Sequence, residues 1–107
     1  ADDDYRAALR YFEGMRARLD AIFAGVDALI APAVNGEAPV GLANTGDAAF
    51  QSIWTALHVP AITIPAGVGP NNMPVGVQLV APRGADRKLL EIARWMQETA
   101  GVAAPKA

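Results

Sequence analysis

The sequence predicts a small α/β domain in which helices cover a mixed sheet. Two apolar runs rich in β-branched residues, at 61–66 and 75–81, are separated by a turn of Gly, Pro and Asn. This arrangement predicts two antiparallel strands joined by a loop longer than the tightest hairpin. Neither run alternates regularly with polar residues, so we expect both faces of the pair to be covered.

Three segments have the apolar spacing of a helix. The first spans about residues 4–25, where large apolar side chains recur at intervals of three, four or seven after a run of aspartates. Its arginines Arg16 and Arg18 are expected to lie off the apolar stripe, in solvent. The second helix spans about 47–57, with Thr45 or Asp47 as its cap, and the third spans about 86–100, beginning at Asp86. The residues after Gly101 are expected to fray.

A short buried strand is predicted at about 28–31, ending at Pro32. The next segment, residues 32–46, contains five prolines and glycines and no helical or strand pattern. Loops of this length within a compact domain are usually functional or mobile. From the residues alone, we expect this loop to be mobile.

Composition limits the classes of function. The 107 residues are predicted to form a single domain, residues 1–107, with a net charge of −2 and no basic block, so nucleic acid is not an expected partner. The apolar runs fall short of the roughly 18–20 residues that span a bilayer, so no membrane is expected. Cysteine is absent, which excludes disulfides and thiolate ligands. Cytoplasm is the default location.

Hydrophobic residues make up 52% of the chain and charged residues 19%. Abundant alanine is one explanation of this surplus. The other is that part of the apolar surface is covered by protein outside this chain.

One combination of motifs resembles the C-terminal part of the amidase signature family. The quoted positions are Trp54, Thr55, Leu57, Pro60, Ala61, Pro65 and Gly67, then the run Pro74, Val75, Gly76, Val77, Gln78, Leu79 and Val80, then Leu89 and Leu90. The segment Asp27–Pro32 is similar to the strand that precedes them in the family. The resemblance covers nearly the whole chain.

The resemblance implies amide hydrolysis by a Ser–Ser–Lys arrangement, in which one serine attacks, a second relays the proton and a lysine accepts it. This chain has one serine, Ser52, and two lysines, Lys88 and Lys106, and it has no Gly/Ser-rich loop for an oxyanion. We therefore expect no catalytic residue within it. A triad of Ser52, His58 and Asp47 fails on helical geometry, since positions 52 and 58 point in different directions.

No metal site and no cofactor are expected either. Asp2, Asp3 and Asp4 form a flexible acidic run at one terminus, which is a poor preformed site. The glycine spacing matches no phosphate-binding or dinucleotide-binding fingerprint.

Two functional hypotheses remain open. The first is the C-terminal part of an amidase-family hydrolase, which acts on a small-molecule amide and lacks its own catalytic residues. The family position then implies that Pro32, Ala33, Val34 and Trp54 form a substrate-pocket wall. Its partner would be the missing catalytic segment, or a second copy in a homodimer. The alternative is a stand-alone, non-catalytic module that binds a small molecule or a protein.

Overall fold

The computed structural model describes residues 1–100; residues 101–107, which hold the predicted helix end at Gly101 and the predicted frayed tail, lie outside the described part. Six elements follow one another along the chain: α1 (Asp2–Phe23), β1 (Leu29–Pro32), α2 (Ser52–Leu57), β2 (Ala61–Val68), β3 (Pro74–Val80) and α3 (Asp86–Ala100). The α/β class and the antiparallel strand pair are confirmed.

The sheet has three strands in the order β1-β3-β2, and both pairings are antiparallel. Val80 at the end of β3 lies opposite Leu29 of β1 and Ala61 of β2. The strand β3 is therefore central, which explains why its last three residues are buried. The hairpin between β2 and β3 carries a bulge between Pro65 and Gly67, which bends β2 and increases its local twist.

The helix α3 covers one face of the sheet. Its Leu89 and Ala93 are buried against Ile64 of β2 and Leu79 of β3. Leu89 and Ala93 are four residues apart and therefore share one face of α3. Ile64 pairs with Val77, two residues before Leu79, so Ile64 and Leu79 lie on the same face of the sheet. Burial of a side chain such as Leu79 contributes about 1.5–3 kcal/mol.

The opposite face is covered by α1 and α2. Leu19 and Phe23 of α1 pack with Leu57 of α2 and Val80 of β3, and Trp54 packs at the margin of this cluster. Only the C-terminal half of α1 takes part: every residue from Asp2 to Tyr11 is exposed. The apolar stripe of α1 nevertheless continues into the exposed half, through Tyr5 and Leu9.

Arg16 lies on that same stripe, contrary to the expectation that it is solvated on the outer face. Positions 12, 16, 19 and 23 are three or four apart and therefore share one face. The Arg16 side chain is partly buried, and its Nη2 donates to the carbonyl oxygen of Ala56 at 2.9 Å. The partial burial of Arg16 is therefore determined by its position in the apolar stripe and not by its charge.

The helix α2 begins five residues later than the predicted position 47. Asp47 does not cap it; its carboxylate accepts the amide of Ala49 at 3.0 Å, within a local turn. The carbonyl of Ala48 then receives the amides of Gln51 and Ser52, both at 3.0 Å. Residues 47–51 form this turn because a short aspartate side chain offers the backbone an alternative to the helix.

The chain is extended for its size. Its accessible surface is 7673 Å², whereas a compact monomer of its mass exposes about 5,700 Å². Its radius of gyration is 16.3 Å, against about 13 Å for a compact domain of this length. The α1 half that projects from the sheet accounts for part of this difference. The chain thus leaves exposed an area of about 2,000 Å² that a compact domain would bury.

Candidate functional site

A cavity of about 580 Å³ opens where the loop after β1 meets the turn before α2. Its walls come from the two ends of the 32–46 loop, the 47–51 turn and the start of β3. The lining residues are Val34, Asn35, Glu37, Ala38, Pro39, Asn44, Thr45, Gly46, Asp47, Ala48, Gln51 and Pro74. This volume lies within the range of sites for small molecules.

One wall of the cavity is tied to the sheet through buried polar groups. Ala33 is buried and donates its amide to Gly76 of β3 at 3.3 Å, while its carbonyl accepts the side-chain amide of Gln51 at 2.9 Å. Gln78 of β3 is only 4% exposed and donates to the carbonyl of Phe50 at 3.1 Å. These bonds hold the turn before α2 against the sheet, because a buried polar group without a partner is costly.

The other wall is held by Glu37, the single charged residue of the 32–46 loop. Its Oε1 accepts the amides of Asn71, at 2.9 Å, and Met73, at 3.1 Å, and its Oε2 accepts the Asn71 side-chain amide at 2.7 Å. The hydrogen bond from the Asn71 side chain, with those from the two backbone amides, lowers the pKa of the Glu37 carboxyl, against a smaller opposing effect of desolvation.

The groups that could act as nucleophile or base are dispersed. The Ser52 hydroxyl donates to the Ala48 carbonyl at 2.9 Å, and Lys88 forms an ion pair with Asp27. His58 ends α2 in the left-handed conformation, and its Nε2 lies 3.3 Å from Arg16 Nη2. Across residues 1–100 no arrangement of a nucleophile with a base and an orienting acid is formed. The cavity can bind, and it offers polar groups, but its lining residues include no serine, lysine or histidine.

The four predicted pocket-wall residues are not all brought together. Val34 lines the cavity, and Pro32 and Ala33 lead into it at the end of β1. Trp54 instead packs toward α1, and its indole N–H is buried with no partner among the described residues. The assignment of all four residues to a substrate pocket stays a prediction.

Sequence reasoning missed Glu37 and the role of Gln78. A signal existed for each: Glu37 is the one charge in a long loop, and Gln78 interrupts an apolar strand. Within residues 1–100 no cluster of three metal-ligating side chains is found. None of the helices in that range is long and apolar enough to cross a bilayer.

The sequence matches a known protein family over most of its length. Residues 1–90 match the Amidase family. The chain belongs to the Amidase family.

Two curated relatives and one solved structure show the extent of the similarity. One relative, a subunit of the mitochondrial glutamyl-tRNA(Gln) amidotransferase of Aedes aegypti, is 26% identical over 91% of this chain and 22% of its own length. A putative amidase, AmiA2, of Mycobacterium bovis is 28% identical over 90% of this chain and 22% of its own length. A protein from a structure described as a vestigial complex bearing on the origins of an s-triazine catabolic enzyme is 27% identical, with a TM-score of 0.84.

The similarity covers a minor part of each relative. The solved structure is matched over 100% of this chain and 26% of its own. The chain thus spans about a fifth of the length of these curated relatives and about a quarter of the solved structure.

Proposed function

We propose that this chain is the C-terminal part of an amidase-family hydrolase of small-molecule amides, in which it completes the sheet and forms one wall of the substrate pocket. In this proposal the Ser–Ser–Lys residues belong to the catalytic segment and none to this chain. The observation that carries the proposal is that a chain matched to the Amidase family over residues 1–90 contains a single serine.

The exposed surface supports a missing partner segment. The excess of about 2,000 Å² over a compact monomer is larger than the roughly 800 Å² that each partner contributes to a standard protein–protein interface. Several large apolar side chains contribute to it: Tyr5 is 64% exposed, Ile30 62% and Trp95 63%. Ile30 pairs with the buried Leu79 and lies on the same sheet face, beyond the reach of α3. Large apolar side chains left in water on several elements are consistent with protein contacts that this chain alone does not make.

The cavity supports the second part of the proposal. It combines an apolar side, at Val34 and Pro74, with amide and hydroxyl groups from Asn35, Thr45 and Gln51. A neutral amide requires both kinds of contact, because its polar group must be paired when buried. The catalytic segment would close the cavity and place the attacking serine over it.

When the catalytic segment is absent, we propose that the same uncovered surface drives two copies of this chain to associate as a homodimer. A two-fold dimer buries the same patch on each copy. The outer edges of β1 and β2 are unpaired in the described sheet and add a second reason to associate. We also propose that the protein is located in the cytoplasm.

The test is a chimera. In a full-length family member, the matched segment is replaced by residues 1–100, and release of product from a panel of simple amides and aryl amides is measured. We expect turnover by the chimera and none by the isolated chain. A matched chimera carrying Val80→Asp, which puts a charge into the buried cluster against α1, should lose activity because the segment no longer packs.

One result would contradict the proposed function. A chimera that folds with the parent's sedimentation coefficient but fails on every amide, while the isolated chain binds small molecules as a monomer, would support a stand-alone binding module instead.

A further inference from the structure

Beyond Ala33, whose amide is bonded to Gly76 of β3, the hydrogen bonds found between the described loop and the β2–β3 hairpin all come from one side chain. Glu37 accepts two backbone amides and one side-chain amide from the hairpin turn, residues 69–73. The other hydrogen bonds near this wall, Gly36 to Val34 and Gly46 to Asn44, stay within the loop itself. The middle of the loop is exposed; Val40 and Leu42 make almost no contact with the rest of the chain.

The hairpin turn is shaped to receive a carboxylate. Asn72 takes the left-handed conformation, with φ 61°, between the two residues whose amides point at Glu37. A left-handed residue within a turn can direct the N–H groups on either side of it toward one anion, as the amides of Asn71 and Met73 are directed here. The turn itself is closed by Gly69, which donates to Met73 at 2.8 Å. Here the anion is supplied by the chain itself.

Gly69 is required by the same contact. A Cβ atom at this position would collide with Cγ, Cδ and Oε1 of Glu37. Its φ angle lies outside the left-handed region, so an alanine meets no backbone strain there. The need for glycine is therefore steric, and it exists only while Glu37 occupies the turn.

We propose that Glu37 is a positioning residue that fixes the 32–46 loop on the 69–73 turn and so holds the cavity in its substrate-binding shape. That the cavity binds substrate rests on the function proposed above; the attachment of the loop does not. The charge of Glu37 matters because hydrogen bonds to an ionised acceptor are about twice as strong as neutral ones. Protonation of Glu37 should therefore weaken this attachment. The turn carries no charged residue, and Asp47 is the other carboxylate lining the cavity.

The experiment is a double-mutant cycle read by amide hydrogen exchange and by the NMR shifts of the Asn71 and Met73 amides in the 107-residue chain. Glu37→Ala should raise the exchange rate of both amides by at least about tenfold, the effect of losing a hydrogen bond to a charged group. Gly69→Ala should do the same in the parent chain and should change nothing further in the Glu37→Ala background. Gly25→Ala is the control, since a Cβ there meets nothing closer than 4.0 Å.

A second variant separates charge from size. In Glu37→Gln the carbonyl oxygen can still accept both backbone amides, so exchange should stay within a few fold of the parent. The acid-pH titration of the Asn71 and Met73 amide shifts, expected in the parent chain, should disappear. If Glu37 contributed only to folding and did not contact these amides, Glu37→Gln would leave the acid-pH titration of their shifts unchanged.

Two results would overturn the proposal: equal effects of Gly69→Ala with and without Glu37, or a parent chain whose two amides do not titrate. Both readouts are independent of amide hydrolysis. An inactive chimera with an intact Glu37 contact would therefore refute the proposed function and leave this inference standing.

Discussion

The exposed half of α1 gives the sharpest prediction about what this chain lacks. Phe12, Leu19 and Phe23 of its apolar stripe pack on α2 and β3, but the stripe continues through Tyr5 and Leu9 into solvent. We predict that Leu9→Lys weakens association of the chain with itself, and to a smaller extent with a catalytic segment, because this half of the stripe is part of the contact surface.

The magnitude follows from the exposed fraction. Leu9 is 45% exposed, and full burial of a leucine side chain is worth about 1.5–3 kcal/mol, so completing the burial of Leu9 contributes about 1 kcal/mol. A two-fold dimer contains the residue twice, which makes about 2 kcal/mol, or about thirtyfold in the dissociation constant. A lysine at this place adds the cost of desolvating its charge, so thirtyfold is the lower bound.

The assay is sedimentation velocity over a concentration series, with Ala7→Lys as the matched control. Position 7 is two residues from Leu9 and points to another side of the helix, and Ala7 is exposed. The control introduces the same charge with little change of helix propensity. We expect Ala7→Lys to associate like the parent chain and Leu9→Lys to remain monomeric up to concentrations at least about thirtyfold higher.

Equal association of the two variants would show that the stripe is not part of the contact. A parent chain that stays monomeric at high micromolar concentration, and binds no dye that reports apolar surface, would refute the reasoning from excess surface altogether.

The isolated chain should hydrolyse none of the simple amides or aryl amides in the panel above a buffer control; saturable turnover that is lost in Ser52→Ala would contradict this. Gln78→Leu should destabilise the chain by about 1 kcal/mol in urea unfolding, because the part-buried hydrogen bond to the Phe50 carbonyl is lost while the side-chain size is kept. The exposed Gln97→Leu is its control, and equal losses in both would argue against the hydrogen bond. Because the pKa of Glu37 is lowered on folding, its contribution to stability is complete above its unfolded pKa and is lost as pH falls through the folded pKa. Unfolding curves of the parent and Glu37→Gln should therefore converge in acid; a constant gap at all pH values would be evidence against the shift.

Local patterns were sufficient for most elements. Branched apolar residues around a turn predicted β2 and β3, and apolar spacing predicted α1 and α3, because backbone preference and side-chain period act within a few residues. The family resemblance also rested on residues that are near one another in sequence. The absence of a Ser–Ser–Lys set needed only the count of serines, since one serine cannot fill two roles.

The tertiary structure decided the order of the strands and the contents of the cavity. Nothing in the sequence places β1 beside β3, because that pairing joins residues about 50 positions apart and depends on which faces the helices cover. The late start of α2 was decided by Asp47, whose carboxylate could serve either a helix cap or a turn. Glu37 is an ordinary exposed glutamate until the hairpin turn, 34 positions later, points its amides at it.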